Sequence, residues 1–444
     1  MRRPPPAVLA RAALALGLVV GCRGAGGQGR PAPPRPSIVL VTLDTTRADR
    51  VGAFGSAAGA TPRLDGLAAQ GLRFPNAYAH APMTFPSHAS ILTGLLPPGH
   101  GIRDNGPPPL DASRPLLAEL LARSGYRTAA FVSAFVLDRR FGLARGFHHY
   151  ADEMRAGPSD GLTSVPAAMT VDRALAWLST PDPRPFFAWV HLFDPHDPYE
   201  PPEPFATRFR GRPYEGEIAY MDHHLGRLLD ALDRRADADD VLVLAVGDHG
   251  ESLGEHGEDT HAYFIYAATQ RVPLVLRWRR RVTPDRTAAA LAGGVDVAPT
   301  LLDAAGIAPP ADLDGRSLLS PAPGGPRAIY MESMAPRRWW GASELVGLRD
   351  ERWLFVRSPR PELYDVTVDP AESRNLAASH PERVAEMEAR LAALALSEPP
   401  VPSPEVDGET AARLRALGYL GGGAPPPASG PTPDAKDHLP LVQG

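Results

Sequence analysis

The run Ala81-Pro-Met-Thr84-Phe-Pro86-Ser87-His88-Ala-Ser90-Ile-Leu92-Thr93-Gly94 decides how the rest of the chain is read. Residues 86–92 predict a helix. Thr84 and Ser87, standing before its apolar turn, read locally as an N-cap, because a short hydroxyl side chain accepts an otherwise unpaired backbone N–H there. The same helix start would present backbone amides and the positive end of the helix dipole to an anion. Local pattern alone favours the cap. What lies on either side of the run changes that.

Four apolar runs surround it in sequence: Ser37–Leu43 and residues 127–132, 185–192 and 240–246. Each is short, rich in β-branched or aromatic residues and without strict alternation, as in parallel strands covered on both faces. Residues 116–124 predict a helix stopped by Gly125. Residues 215–232 place Ile218, Met221, Leu225, Leu228, Leu229 and Leu232 on one helical face. His223 and His224 fall on its polar face and are expected to be solvated. Strand and helix in alternation predict an α/β sandwich around a mostly parallel sheet. Three of the strands run into polar groups: Asp44-Thr45, Asp194-Pro195-His196 and Asp248-His249. Ligands of open α/β sheets bind at the carboxyl ends of the strands, so carboxylates and imidazoles delivered there point to a metal site rather than to turn formers. After about residue 325 the texture becomes that of short antiparallel strands, at 328–331, 344–349 and 352–356.

The run at 81–94 resembles the sulfatase active-site motif, Cys/Ser-x-Pro-x-Arg followed by Leu-Thr-Gly, with Thr84 at the nucleophile position and His88 at that of the arginine. Leu313-Asp-Gly-Arg-Ser-Leu318, Glu362-Leu-Tyr-Asp365, Asp369-Pro370 and Asn375-Leu376 resemble further landmarks of that family, in its order. The resemblance covers roughly residues 37–420. It implies an α/β alkaline phosphatase-like sandwich with a small C-terminal α+β subdomain, and an ester hydrolase. Carried over residue by residue, it implies that Asp44, Asp248 and His249 hold one divalent metal and that Thr84 is the nucleophile beside it. His88 joins the catalytic set, His196 contacts the ester, and His261 stands at the leaving-group position. Asn105 resembles the asparagine that holds a non-bridging phosphate oxygen in nucleotide phosphodiesterases of the superfamily. His191 and His256 are weaker candidates.

Departures from the sulfatase pattern shift the expected chemistry. Thr45 stands where the family has a second aspartate, and His249 replaces an asparagine. Calcium takes six to eight hard oxygen ligands, whereas imidazole suits a transition metal, so zinc or manganese is expected rather than calcium. Ser133 and Phe135 occupy the positions of a sulfate-contacting lysine and histidine. Asp194 is followed four residues on by Pro198, so the Asp-x-x-x-His ligands of a second zinc are missing. The expected reaction is cleavage of phosphate mono- or diesters, or phosphoryl transfer, through Thr84. Sulfate ester hydrolysis without formylglycine is the second reading. A catalytically silent binding protein is the third.

Residues 1–21 resemble a signal peptide, with a basic start at Arg2-Arg3 and an apolar stretch over 7–20, too short to span a bilayer. Val19-Val20-Gly21-Cys22 resembles a bacterial lipobox, which implies lipidation of Cys22, a tether over 22–36 and a place in the bacterial cell envelope, held at a membrane. A plain secretory peptide is the alternative. Cys22 is the sole cysteine, so internal disulfides and a formylglycine made from cysteine are excluded. The expected organisation continues with a catalytic domain over 37–324 and a subdomain over 325–397. A Pro/Gly-rich tail over 398–444, with a short helix at 409–417, is expected to be mobile. At 444 residues and 43% hydrophobic the chain can bury one large core and one smaller one. A net charge of −5 gives no basis for a nucleic-acid surface; the resemblance implies an ester of a small molecule, glycan or lipid headgroup as the partner.

Overall fold

Ser37–Leu43 is buried along its whole length because both of its faces are covered. Ile38 and Leu40 join Trp189, Leu242, Leu244 and the Thr84–Thr93 helix in one layer. Val39 and Val41 join Val190 and Val243 in the opposite layer, under the helices Pro62–Ala69, Ala167–Leu178 and Pro213–Asp233. This computed structural model describes Met1 and residues 35–156, 163–320, 327–394, 408–416 and 432–437. The amino-terminal segment with Cys22 lies outside the described residues. No described helix is long and apolar enough to cross a membrane.

The large sheet runs Arg286–Thr287, Leu72–Arg73, Leu274–Arg277, Val241–Gly247, Ser37–Leu43, Phe186–Leu192, Arg127–Phe131, His149–Ala151. Leu274–Arg277 is antiparallel to both neighbours, and the remaining pairings are parallel. The four expected strands form its centre. Their register matters most: Leu43 lies opposite both Leu192 and Gly247. The ladder extends one step further, Asp44 N–H donating to Leu192 O at 3.0 Å and Asp248 N–H to Leu43 O at 3.3 Å. Asp44, Phe193 and Asp248 therefore leave the sheet at one level.

The Pro213–Asp233 helix buries the six apolar residues expected of it. His223 is exposed as expected, but His224 is buried, with its ring 4.6 Å from that of Tyr220 and its Nδ1 3.1 Å from Arg227. The neighbouring Ala167–Leu178 helix packs on this part of the helix, which a single helix's periodicity does not reveal.

Ile329–Ser333, Leu345–Arg349, Trp353–Arg357 and Glu362–Asp365 form a four-stranded antiparallel sheet, backed by Met387 and Leu391 of the Pro381–Ala393 helix. The expectation of a mobile tail is corrected for its two described parts. The Gly408–Ala416 helix buries Leu414 among Phe135 and Phe141, and Arg140 donates to Thr410 Oγ1 at 3.1 Å. Further on, Pro433 O accepts from Ser343 N–H at 2.8 Å and Lys436 pairs with Glu362. An apolar stripe on a polar segment is enough to hold it to the body once a matching surface exists.

Candidate active site

The nucleophile helix begins one residue earlier than a threonine cap requires. Met83 is its extended N-cap and Thr84 its first helical residue, so the Thr84 side chain is not used for capping. Helix starts leave their first amides without intrahelical acceptors. Here Asn105 Oδ1 accepts the Phe85 N–H at 2.8 Å, and Pro86 has none to offer. The expected row of amides aimed at an anion is thereby reduced, and Asn105 takes over the capping. Its Nδ2, buried and without a protein partner among the described residues, is the donor left over.

Thr84 Oγ1 lies 3.4 Å from His249 Nε2. The same Nε2 is 3.7 Å from Asp44 Oδ1 and 3.6 Å from Asp248 Oδ2. His249 Nδ1 is 2.9 Å from the Gly250 carbonyl, which can only accept, so Nδ1 carries the proton and Nε2 turns a lone pair toward the two carboxylates. Both Asp44 oxygens and Asp248 Oδ2 lack hydrogen-bond partners. Asp248 Oδ1, by contrast, is fixed by the N–H groups of His249 (2.7 Å) and Thr45 (3.2 Å). Burial pushes Asp44 up to about 6 and Asp248 well above the carboxylate range, the latter helped by the Asp44 charge beside it, while burial holds His249 well below the usual imidazole value. Two adjacent buried carboxylates are unfavourable unless a cation joins them. Asp44, Asp248, His249 and the Thr84 hydroxyl fit a divalent ion on those grounds.

A second buried set, His88, His191 and Asp248, also brings ligand-type atoms close together. Its hydrogen bonds disqualify it. Trp189 Nε1–H donates to Thr42 Oγ1 at 3.0 Å, Thr42 is 2.9 Å from His88 Nε2, and His88 Nδ1 is 2.7 Å from the Thr84 carbonyl. The carbonyl requires a proton on Nδ1, the nitrogen that faces Asp248 at 3.6 Å. Both ring nitrogens of His88 are therefore engaged within the protein, and it positions Thr84 rather than touching substrate. His191 Nδ1 accepts the Ser133 N–H at 3.3 Å, which puts its proton on Nε2, 3.2 Å from Asp44 Oδ2. That proton faces Asp44 as a close polar contact without hydrogen-bond geometry, so His191 has no lone pair to offer the metal.

The other sequence candidates fall into place around this centre. His196 directs Nδ1–H to Asp197 O at 2.7 Å, stacks on Phe193, and meets the His261 ring edge-to-face at 5.1 Å between centroids. His261 Nδ1 lies 3.0 Å from Glu251 Oε1, and its ring is 4.7 Å from that of His249. Burial holds His261 down at about 4 and pushes Glu251 up to about 8. Glu251 was not singled out by sequence, although it stands in Gly247-Asp-His-Gly-Glu-Ser252. Thr45, held at a φ of 47°, turns its hydroxyl to Pro195 O at 2.6 Å and contributes no ligand. Ser133 Oγ is 2.5 Å from His191 O, and Phe135 is core. Asp194 accepts the Ala167 N–H at 2.8 Å, at the start of a helix. His256 stacks on Tyr266 at 3.7 Å and is structural.

Metal-ligand groups at the ends of parallel strands, beside a hydroxyl that opens a helix, define a metal-dependent hydrolase of the α/β class. The model of the sulfatase family matches residues 36–307, and that of the N-sulphoglucosamine sulphohydrolase C-terminal region matches 254–396. The chain belongs to the sulfatase family of the alkaline phosphatase superfamily and is a hydrolase acting on sulfuric or phosphoric ester bonds. It is 25% identical to a Delta 4,5-hexuronate-2-O-sulfatase of Bacteroides thetaiotaomicron, over 79% of this chain and 86% of that one. It is 28% identical to human N-acetylgalactosamine-6-sulfatase, over 67% of each. Its fold superposes on a phosphonate monoester hydrolase of Agrobacterium radiobacter with a TM-score of 0.70, at 23% identity, covering 82% of this chain and 95% of that one.

Proposed function

We propose that this enzyme cleaves phosphate mono- or diesters, or transfers their phosphoryl group, with Thr84 as nucleophile and zinc or manganese as its metal. The observation that carries the reading is the Thr84 hydroxyl, 3.4 Å from His249 Nε2 at the head of its helix, beside the unpartnered oxygens of Asp44 and Asp248. Asp44, Asp248, His249 and Thr84 would hold a divalent ion, which would supply Lewis-acid chemistry at the Thr84 oxygen. The rest falls to the chain's own residues. His88 fixes the Thr84 backbone and Asn105 Nδ2 offers a donor to a non-bridging oxygen. The Thr84 oxygen, its proton released to water, bonds to phosphorus as the ester oxygen leaves, and the Glu251 carboxyl passes its proton through the His261 ring, in at Nδ1 and out at Nε2, to that leaving oxygen. His196 lines the same approach. Water then attacks phosphorus, its proton returns through His261 to Glu251, and the Thr84 oxygen leaves and takes up a proton from solvent.

Phosphate is favoured over sulfate because threonine lacks the second hydroxyl through which formylglycine expels sulfate. Ser133 and Phe135 likewise bring no cation to the site. The relatives named as sulfatases favour the second reading, a sulfuric ester hydrolase. A silent binding protein is disfavoured by retention of the whole ligand set. The test is a panel of aryl phosphate monoesters, diesters, phosphonates and sulfates, run on wild type and Thr84→Ala. Phosphoester turnover is expected to fall about 1000-fold or more in the variant, the scale of losing a covalent nucleophile. Sulfate turnover above phosphodiester turnover would overturn the reading. The reading also places the enzyme in a bacterial envelope on a lipidated Cys22, supported by the Val19–Cys22 motif alone. Uptake of a palmitate analogue that persists in Cys22→Ser would remove the anchor.

A further inference from the structure

We propose that Glu332, on the first strand of the C-terminal sheet, is a positioning residue for Asn105. The proposal rests on the oxygen-holding role given to Asn105 above. Arg103, two residues before Asn105, donates Nε to Glu332 Oε1 at 2.7 Å and Nη2 to Oε2 at 2.6 Å. Both partners are buried, and Tyr330 OH donates to the same Oε2 at 2.6 Å. A bidentate pair of this kind fixes the guanidinium in direction as well as in place. The next residue is held from the same side. Asp104 pairs with Arg338 at 3.3 Å and accepts the Asn105 N–H at 2.8 Å. Residues 103 and 104 are therefore both fastened to the C-terminal subdomain, and Asn105 follows from them.

Two further bonds from this strand reach the site. Glu332 N–H donates to His80 O at 2.9 Å, just ahead of the nucleophile run, and Ser333 Oγ donates to Ala262 O at 2.5 Å, just after His261. Asn105 is the most sensitive of the three, because its amide does two jobs. Oδ1 is committed to Phe85 N–H, and only that orientation leaves Nδ2 as a buried, unpartnered donor at the start of the Thr84–Thr93 helix. If the loop drifts, the cap and the donor are lost together. Geometry of this kind is costly to lose: displacements of about 1 Å at a reacting group reduce rates on the order of 100-fold.

The test compares wild type, Glu332→Gln, Arg103→Lys, Asn105→Ala and the Glu332→Gln/Asn105→Ala pair. Hydrogen exchange at the Phe85 amide is read together with calorimetric affinity for inorganic phosphate. Glu332→Gln is expected to speed Phe85 exchange while leaving the Ser37–Leu43 amides slow, and to weaken phosphate binding about tenfold. In the Asn105→Ala background the same substitution should change binding less than about twofold, as coupled sites require. Arg103→Lys, which keeps the charge and loses the fork, should behave like Glu332→Gln and covers the case in which that variant fails to fold. Unchanged Phe85 exchange, or effects of Glu332→Gln and Asn105→Ala that multiply, would overturn the proposal. Faster Phe85 exchange in a protein that binds no phosphate and turns over no ester would support the clamp and break the phosphoester reading.

Discussion

His249 and His88 flank one carboxylate oxygen: each presents a ring nitrogen 3.6 Å from Asp248 Oδ2, and both are completely buried. By residue type and distance they are equivalent. Their second nitrogens make them opposites. At His249 the Gly250 carbonyl takes the proton of the far nitrogen, and the near one keeps its lone pair. At His88 the Thr84 carbonyl takes the proton of the near nitrogen itself. A cluster of ligand-type side chains thus becomes a metal site only where the backbone leaves the facing nitrogen bare.

Four substitutions test that difference. His249→Ala should weaken zinc or manganese binding by at least about 100-fold, read by metal analysis after dialysis, because a direct ligand is lost. Comparable binding to wild type would mean the ion sits elsewhere. Next in size comes a pH effect at His80, whose tautomer is fixed the same way by Tyr330 O at 2.7 Å. Burial holds His80 at about 4, below its unfolded value, so the unfolded chain binds more protons between those limits. Stability then falls as pH drops below about 6.5. The margin of metal-free wild type over His80→Gln in denaturant unfolding should shrink by about 2 kcal/mol from pH 7.5 to pH 5. A margin independent of pH would break the assignment. His191→Gln should weaken metal binding about tenfold, the scale of a neighbour that abuts a ligand without being one. His88→Gln keeps a donor for the Thr84 carbonyl and should change metal affinity least, within about threefold, while lowering turnover through Thr84. Equal metal loss in His88→Gln and His249→Ala would erase the distinction.

The strand-end groups were legible because apolar runs stop abruptly at Asp44, Asp248 and His249, and the register that levels them follows from strands of matched length. Thr84 was legible only as one position in a motif set, since its local pattern is that of a cap. The structure gives the capping to Asn105 instead. His191 and His88 were not separable from true ligands, because their tautomers are decided by backbone groups that residue type does not reveal: the Ser133 N–H, 58 residues away, for His191, and the Thr84 carbonyl, one helical turn back, for His88. Glu332 was beyond reach, standing 229 residues from Arg103. His224 and the docked Gly408–Ala416 helix were misjudged for one reason: burial depends on neighbouring elements that periodicity does not show.

On the proposed mechanism Thr84 forms a covalent ester with the group it transfers. Acid quenching of wild type during turnover of an aryl phosphate, followed by mass spectrometry of the peptide carrying Thr84, tests it most directly. A phosphoryl group is expected on Thr84, absent from Thr84→Ala and from metal-free protein. An unmodified Thr84 under steady turnover, or a sulfuryl group there during faster turnover of an aryl sulfate, would contradict it.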